Sequence, residues 1–109
     1  MSEWDVAFER SEQGGRPVLV VRGEIDLAVA SRLAQELDAL VPESDSSALV
    51  DLSGVSFIDS SGVRELLKAK QSAQSAGGSL TLLSPSSSCQ RVLEISGVWS
   101  EFSVRDALP

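Results

Sequence analysis

Asp59, Ser60, Ser61 and Gly62 stand together between two apolar stretches. A carboxylate followed by two hydroxyls and a glycine admits two kinds of chemistry. The short Asp side chain can cap a helix by accepting N–H groups two or three residues on. The same arrangement presents a serine hydroxyl at the positive end of that helix, where an anion meets the macrodipole. If Asp59 caps, Ser60 is the first helical residue. Arg64 follows four residues after Ser60, one turn along the same face. Asp26, in the tract Gly23-Glu24-Ile25-Asp26, stands in the same way before a second helical pattern and reads as its cap.

Other catalytic chemistry lacks its residues. The chain contains no histidine, so a Ser-His-Asp or Cys-His arrangement and the usual zinc sets are absent. No GxxxxGK[ST] tract is present to cradle phosphates. Asp51 ends an apolar run, as a phosphate-receiving aspartate would. The acidic pair that would hold magnesium beside it is missing, because Val20-Val21-Arg22 stands at the end of the earlier strand. The lone cysteine, Cys89, lies at core spacing and reads as buried filling. One cysteine forms no internal disulfide and suits a reducing cytoplasm. The expectation is therefore a protein that is not an enzyme and needs no metal or cofactor.

Charge points to the kind of partner. Nine basic and sixteen acidic residues give a net charge of −7 over 109 residues. Such a surface repels phosphate backbones and anionic lipid, so nucleic acid and membrane are poor partners. A protein carrying a basic patch is a better one. No stretch approaches the roughly 20 apolar residues of a membrane span. The first ten residues, MSEWDVAFER, lack an apolar signal core, and the expected location is the cytoplasm.

The elements that must hold these residues alternate in type. Trp4, Val6 and Phe8 alternate with polar residues as in a half-buried strand, and Gly14-Gly15 turns the chain into a second strand over 17–23. Leu27, Ala30, Leu33, Leu37, Leu40 and Val41 recur at helical intervals, with Pro42 closing that helix. Residues 48–52 form the central strand, and a loop with a second apolar pulse, 55–58, leads to Asp59. Val63, Leu66, Leu67, Ala73 and Ala76 give the central helix its apolar face, and Gly77-Gly78 stops it. A strand over 79–83 follows. Ser84-Pro85 reads as the start of a short helix carrying Cys89, Val92 and Leu93 inward, ended by Gly97. A last short strand lies within 98–104, around Phe102. An apolar fraction of 42% supplies one core, and the length is that of one domain, 1–109. Strand and helix in alternation predict an α/β fold: a mixed, mostly parallel sheet of about four to five strands with helices packed against it.

The tract VDLSGVSFIDSSGVREL resembles the signature of the STAS domain, the family of bacterial anti-sigma factor antagonists. GEID at 23–26 and LLSPSSSCQRVLEISGV at 82–98 are similar to two further family blocks, in the same order and spacing. Family members commonly continue into a longer C-terminal helix, where here only Asp106 to Pro109 follow. The resemblance implies a partner switch. The domain binds an anti-sigma factor that is also a serine kinase, which frees a sigma factor for transcription. The kinase then phosphorylates the serine after the motif's aspartate, which maps onto Ser60 with Ser61 as its rival, and the complex separates. A metal-dependent serine phosphatase reverses the step. Asp26, Asp59, Ser60, Ser61, Gly62 and Arg64 are the expected partner-binding residues, and the family layout implies that Asp26 lies near Ser60. The phosphate is expected to gain from N–H donors at the helix start, to be repelled by Asp59, and to act locally on the interface. The alternative is a constitutive, unphosphorylated module of the same fold, serving a transporter or a stress-sensing scaffold.

Overall fold

The computed structural model describes residues 6–40 and 47–106. The expectations for Trp4, Val41 and Pro42 fall outside the described residues.

The sheet grows from a hairpin. β1 (Ala7–Gln13) and β2 (Arg16–Ile25) pair antiparallel, from Ala7 opposite Arg22 to Gln13 opposite Arg16. Gly14 and Gly15 link them with φ of 58° and 79°. Two successive left-handed residues form a mirror-image turn whose twist suits the strands, and glycine adopts it without steric cost. β3 (Ser47–Ile58), β4 (Ser79–Leu83) and β5 (Ser103–Arg105) then add in parallel, giving the order β1-β2-β3-β4-β5. α1 (Leu27–Leu40), α2 (Ser60–Ser75) and α3 (Ser87–Ile95) make the three crossovers, and a 3-10 turn, Trp99–Glu101, precedes β5. This is the mixed, mostly parallel α/β sheet that the alternation predicts.

The elements depart from the sequence expectation at four places. The tract 55–58 is not a loop: β3 runs unbroken from Ser47 to Ile58. Its pairing with β2 shifts register twice, between Val20 and Arg22 and between Gly23 and Glu24, so β3 carries the extra residues. Bulges of this kind break the two-residue alternation while the strand continues. Asp51 supports the first irregularity by accepting bonds from the Ser53 N–H at 2.9 Å and the Ser53 hydroxyl at 2.7 Å. Leu27 does not share the inward face of α1; it is 76% exposed. The third helix starts two residues late, capped by Ser86, whose hydroxyl accepts the Cys89 N–H at 3.1 Å. Ser84 sits at φ 46°, a conformation outside any right-handed helix. The last strand shrinks to three residues because the 3-10 turn takes Trp99 to Glu101.

Neighbouring residues along a strand face opposite sides of a sheet. Leu19, Val21, Val50, Leu80 and Leu82 therefore meet the buried stripes of the helices: Val29, Leu33, Leu37 and Leu40 of α1, Val63, Leu66, Ala69 and Ala73 of α2, and Cys89 and Leu93 of α3. Val18, Leu49 and Leu83, with Val20 beside them, form a smaller buried cluster on the other face. α1 and α2 pack side by side. Leu33, Leu37 and Leu66 are each at most 2% exposed, so truncating any of them to Ala costs about 2–5 kcal/mol.

Cys89 is buried filling, as its spacing predicts, and loss of hydration pushes its thiol from 9.0 up to about 11. A proton held more tightly in the folded state stabilises that state below pH 9 and ceases to do so as the pH rises toward 11. The urea midpoint should therefore fall over that window in the wild type and fall less in Cys89→Ala. The chain has no tyrosine to titrate in the same range. Equal slopes for the two proteins would show that the thiol titrates normally.

Candidate functional site

The site lies where β2 and β3 end. Ile25 pairs with Ile58, and the Asp59 N–H donates to the Ile25 carbonyl at 3.1 Å, one step past the ladder. Asp26 and Asp59 thus leave the sheet from neighbouring strands at the same edge. Asp59 is the N-cap of α2, with φ −108° and ψ −174°. Its Oδ1 accepts the Ser61 N–H at 2.9 Å and the Gly62 N–H at 3.3 Å, and its carbonyl accepts the Val63 N–H at 3.1 Å. Ser60 is the first residue of the helix, as the capping argument requires.

The two serines differ in freedom. The Ser61 side chain is half-buried, and its hydroxyl donates to the same Asp59 Oδ1. Ser60 is exposed, and its hydroxyl has no hydrogen-bond partner among the described residues. A third donor therefore crowds onto the Asp59 oxygen that already holds two N–H groups, and the hydroxyl left over is the one at position 60.

Gly62 is buried and sets how closely α2 approaches the sheet. A Cβ there would stand 2.8 Å from Ile25 Cγ2, 2.8 Å from Ile58 Cγ1 and 3.0 Å from Ile58 Cδ1. Arg64 is exposed one turn further on and makes no ion pair within the described residues. The other cation near the edge, Arg22, is held at 2.8 Å by Glu9.

Asp26 differs from its expected role. Its carbonyl accepts the Val29 N–H at 3.0 Å, opening α1, but its buried Oδ1 accepts no hydrogen bond. The carboxylate is not capping through that oxygen. A buried carboxylate oxygen without a donor is costly.

Two features of this edge escape the sequence reading. Phe57 pairs with Glu24 just before the Ile25–Ile58 pair and is 45% exposed, while Leu27 stands directly after Asp26. Strict alternation from buried Ile58 places Phe57 on the outer face, a signal that is legible only with residues 55–58 in a strand. Among the described residues no three His, Cys, Asp or Glu side chains are grouped to hold a metal ion, and no helix is long and apolar enough to cross a membrane.

A five-stranded mixed sheet with an aspartate-capped helix presenting a free serine at its carboxyl edge defines a class of domain, and comparison with known proteins agrees. The family described as "Mlab, STAS domain" matches residues 8–100. The chain belongs to the STAS domain family. It is 29% identical over 93 residues to BtrV of Bordetella bronchiseptica, named as an anti-sigma factor antagonist, covering 85% of this chain and 80% of that protein. The crystal structure of an anti-sigma factor antagonist from Mycobacterium paratuberculosis superposes with a TM-score of 0.84 at 26% identity, over 99% of this chain and 92% of that one. SpoIIAA, solved in its unphosphorylated form, shares the fold with a TM-score of 0.72 at 22% identity, over 90% and 87% of the two chains.

Proposed function

We propose that this chain is an anti-sigma factor antagonist, that it binds an anti-sigma factor with serine kinase activity, and that phosphorylation of Ser60 ends the complex. The observation that carries the reading is the contrast between the exposed, unpartnered hydroxyl of Ser60 and the tethered hydroxyl of Ser61. In the transfer, the kinase's base takes the Ser60 proton, Oγ forms a bond to the γ-phosphorus of ATP, and the bond to the leaving ADP breaks. An exposed residue at the carboxyl edge of a parallel sheet is well placed to enter another protein's active site. A serine phosphatase restores the hydroxyl by hydrolysis, and the exchange takes place in the cytoplasm.

The cap changes what the phosphate meets. N–H donors at the helix start are expected from the sequence to receive it, yet Asp59 already holds those of Ser61 and Gly62. About two negative charges at position 60 would face the carboxylates of Asp59 and Asp26, with Arg64 one turn away as the nearest cation along the helix. The group is therefore poorly absorbed by its own domain and acts outward, on whatever surface is docked there.

The test is to incubate the protein with ATP and each purified anti-sigma-type kinase of its own organism, then to locate phosphate by mass spectrometry. Label is expected at Ser60 and absent from Ser60→Ala. Label confined to other positions would overturn the assignment, and no label with any of these kinases would favour the constitutive module.

A further inference from the structure

Three large apolar side chains are strongly exposed among the described residues: Leu27, Phe57 and Ile95. Exposed apolar residues scattered singly need no explanation. Here two of the three come from different elements at the end of the sheet from which Ser60 departs. Leu27 follows Asp26 at the start of α1, and Phe57 precedes the Ile58-Asp59-Ser60 step out of β3. Their neighbours Ile25 and Ile58 are at most 1% exposed, so the same strand ends bury one apolar set fully and leave the other in water. Around them stand Glu24, exposed and paired in register with Phe57, and the carboxylates of Asp26 and Asp59. Arg22 is neutralised by Glu9, which leaves Arg64 as the free cation in this neighbourhood among the described residues.

We propose that Leu27 and Phe57 are the two apolar anchors that hold a protein partner across Ser60, and that the partner's complementary surface consists of apolar sockets set in a Lys/Arg-rich surround. Charge complementarity selects this occupant: the edge is acidic and the chain carries −7 overall. Anchors that fill sockets supply most of the binding energy of a protein interface, and the charged rim steers and orients the approach. Phosphate arriving between the anchors would place bulk and a desolvated charge at the apolar centre of the contact, away from the basic rim, while leaving the anchors untouched. The identity of the partner as an anti-sigma factor rests on the reading above; the anchor surface does not.

The experiment places the photocrosslinker p-benzoylphenylalanine at position 27, 57, 95 or 12 of the full chain in its own organism. Ile95 and the exposed Glu12 of β1 are the controls. Positions 27 and 57 are expected to capture one and the same protein, and positions 95 and 12 not to capture it. With that protein purified, Leu27→Ser and Phe57→Ser should each weaken binding by about tenfold or more, and Ile95→Ser by less than about twofold. Circular dichroism should show the same fold for all three variants. Affinity should also drop as potassium chloride is raised. Capture from 95 or 12 instead, no capture from 27 and 57, or unchanged affinity in both serine variants would overturn the anchors. Affinity indifferent to salt would overturn the basic surround. Capture of a protein that is not an anti-sigma factor would keep the surface and remove the reading on which its partner was named.

Discussion

Ser60→Asp is expected to bind the anti-sigma kinase about 100-fold more weakly than the wild type, while Ser60→Ala binds within about threefold of it and no longer dissociates when ATP is supplied. The asymmetry follows from the surroundings of the residue. Alanine removes a hydroxyl that has no internal partner, so neither the cap nor the helix loses a bond. Aspartate adds a carboxylate next to Asp59, whose Oδ1 is already committed to two N–H groups and one hydroxyl. The new charge has no N–H left to accept in the first turn beyond its own, and a docked partner strips it of water. Leaving one charge unpaired in an interface costs about 2–5 kcal/mol, and 1.4 kcal/mol is about a factor of ten. Calorimetric titration of the three proteins against the same kinase reads the difference. Equal affinity for the alanine and aspartate variants would show that position 60 lies outside the contact. Overlaid amide NMR spectra of the free and phosphorylated protein should differ around residues 24–30 and 57–66 and agree in β4 and β5; shifts throughout the sheet would mean that the phosphate refolds the domain.

Much of this arrangement is legible in the sequence because the deciding interactions are local. The Asp59 cap acts over three residues, the Gly14-Gly15 turn over two, and the stripes of α1 and α2 repeat at the helical interval. The rest is set by distant parts of the chain. The stretch from Ser53 to Ile58 looks like a loop because its bulges break alternation, and only its pairing with Arg22 to Ile25 shows it to be strand. Leu27 fits the α1 stripe by count, yet this first-turn residue is left uncovered. Ser84, with Pro85 after it, is the stronger sequence signal, yet Ser86 is the cap. The choice between them is made by Leu52 and Val55, whose carbonyls accept the backbone N–H and the hydroxyl of Ser86 and pin the cap there. Asp26 reads as a cap by position, and its unpartnered oxygen belongs to no local rule.

Gly62→Val is expected to destabilise the protein by about 3 kcal/mol or more and to lower Tm by about 10 °C or more, measured by thermal unfolding. A Cβ at 62 overlaps Ile25 Cγ2 and Ile58 Cγ1, each at 2.8 Å, and both isoleucines are fully buried with no room to retreat. Gly62→Ala should be milder, because better helix propensity offsets part of the overlap by at most about 1 kcal/mol. Gly54 is the informative contrast. A Cβ there would lie 2.9 Å from Arg22 Cγ, a nominally similar clash, but Arg22 is a flexible exposed side chain that can swing aside, so Gly54→Ala should cost less than Gly62→Ala. For comparison, losing the cap in Asp59→Ala should cost about 1 kcal/mol. The overlap can be isolated with Ile58→Ala, which removes the opposing atoms at the expense of a cavity. In the double variant Gly62→Val/Ile58→Ala the new methyl groups occupy that cavity, and the combined loss should fall short of the sum of the single losses by about 1 kcal/mol or more. Strict additivity would mean that the helix relieves the clash by moving outward as a body. In that case Asp59 and Ser60 would move with it, and phosphorylation of Ser60 would fall even in the fraction of molecules that remain folded.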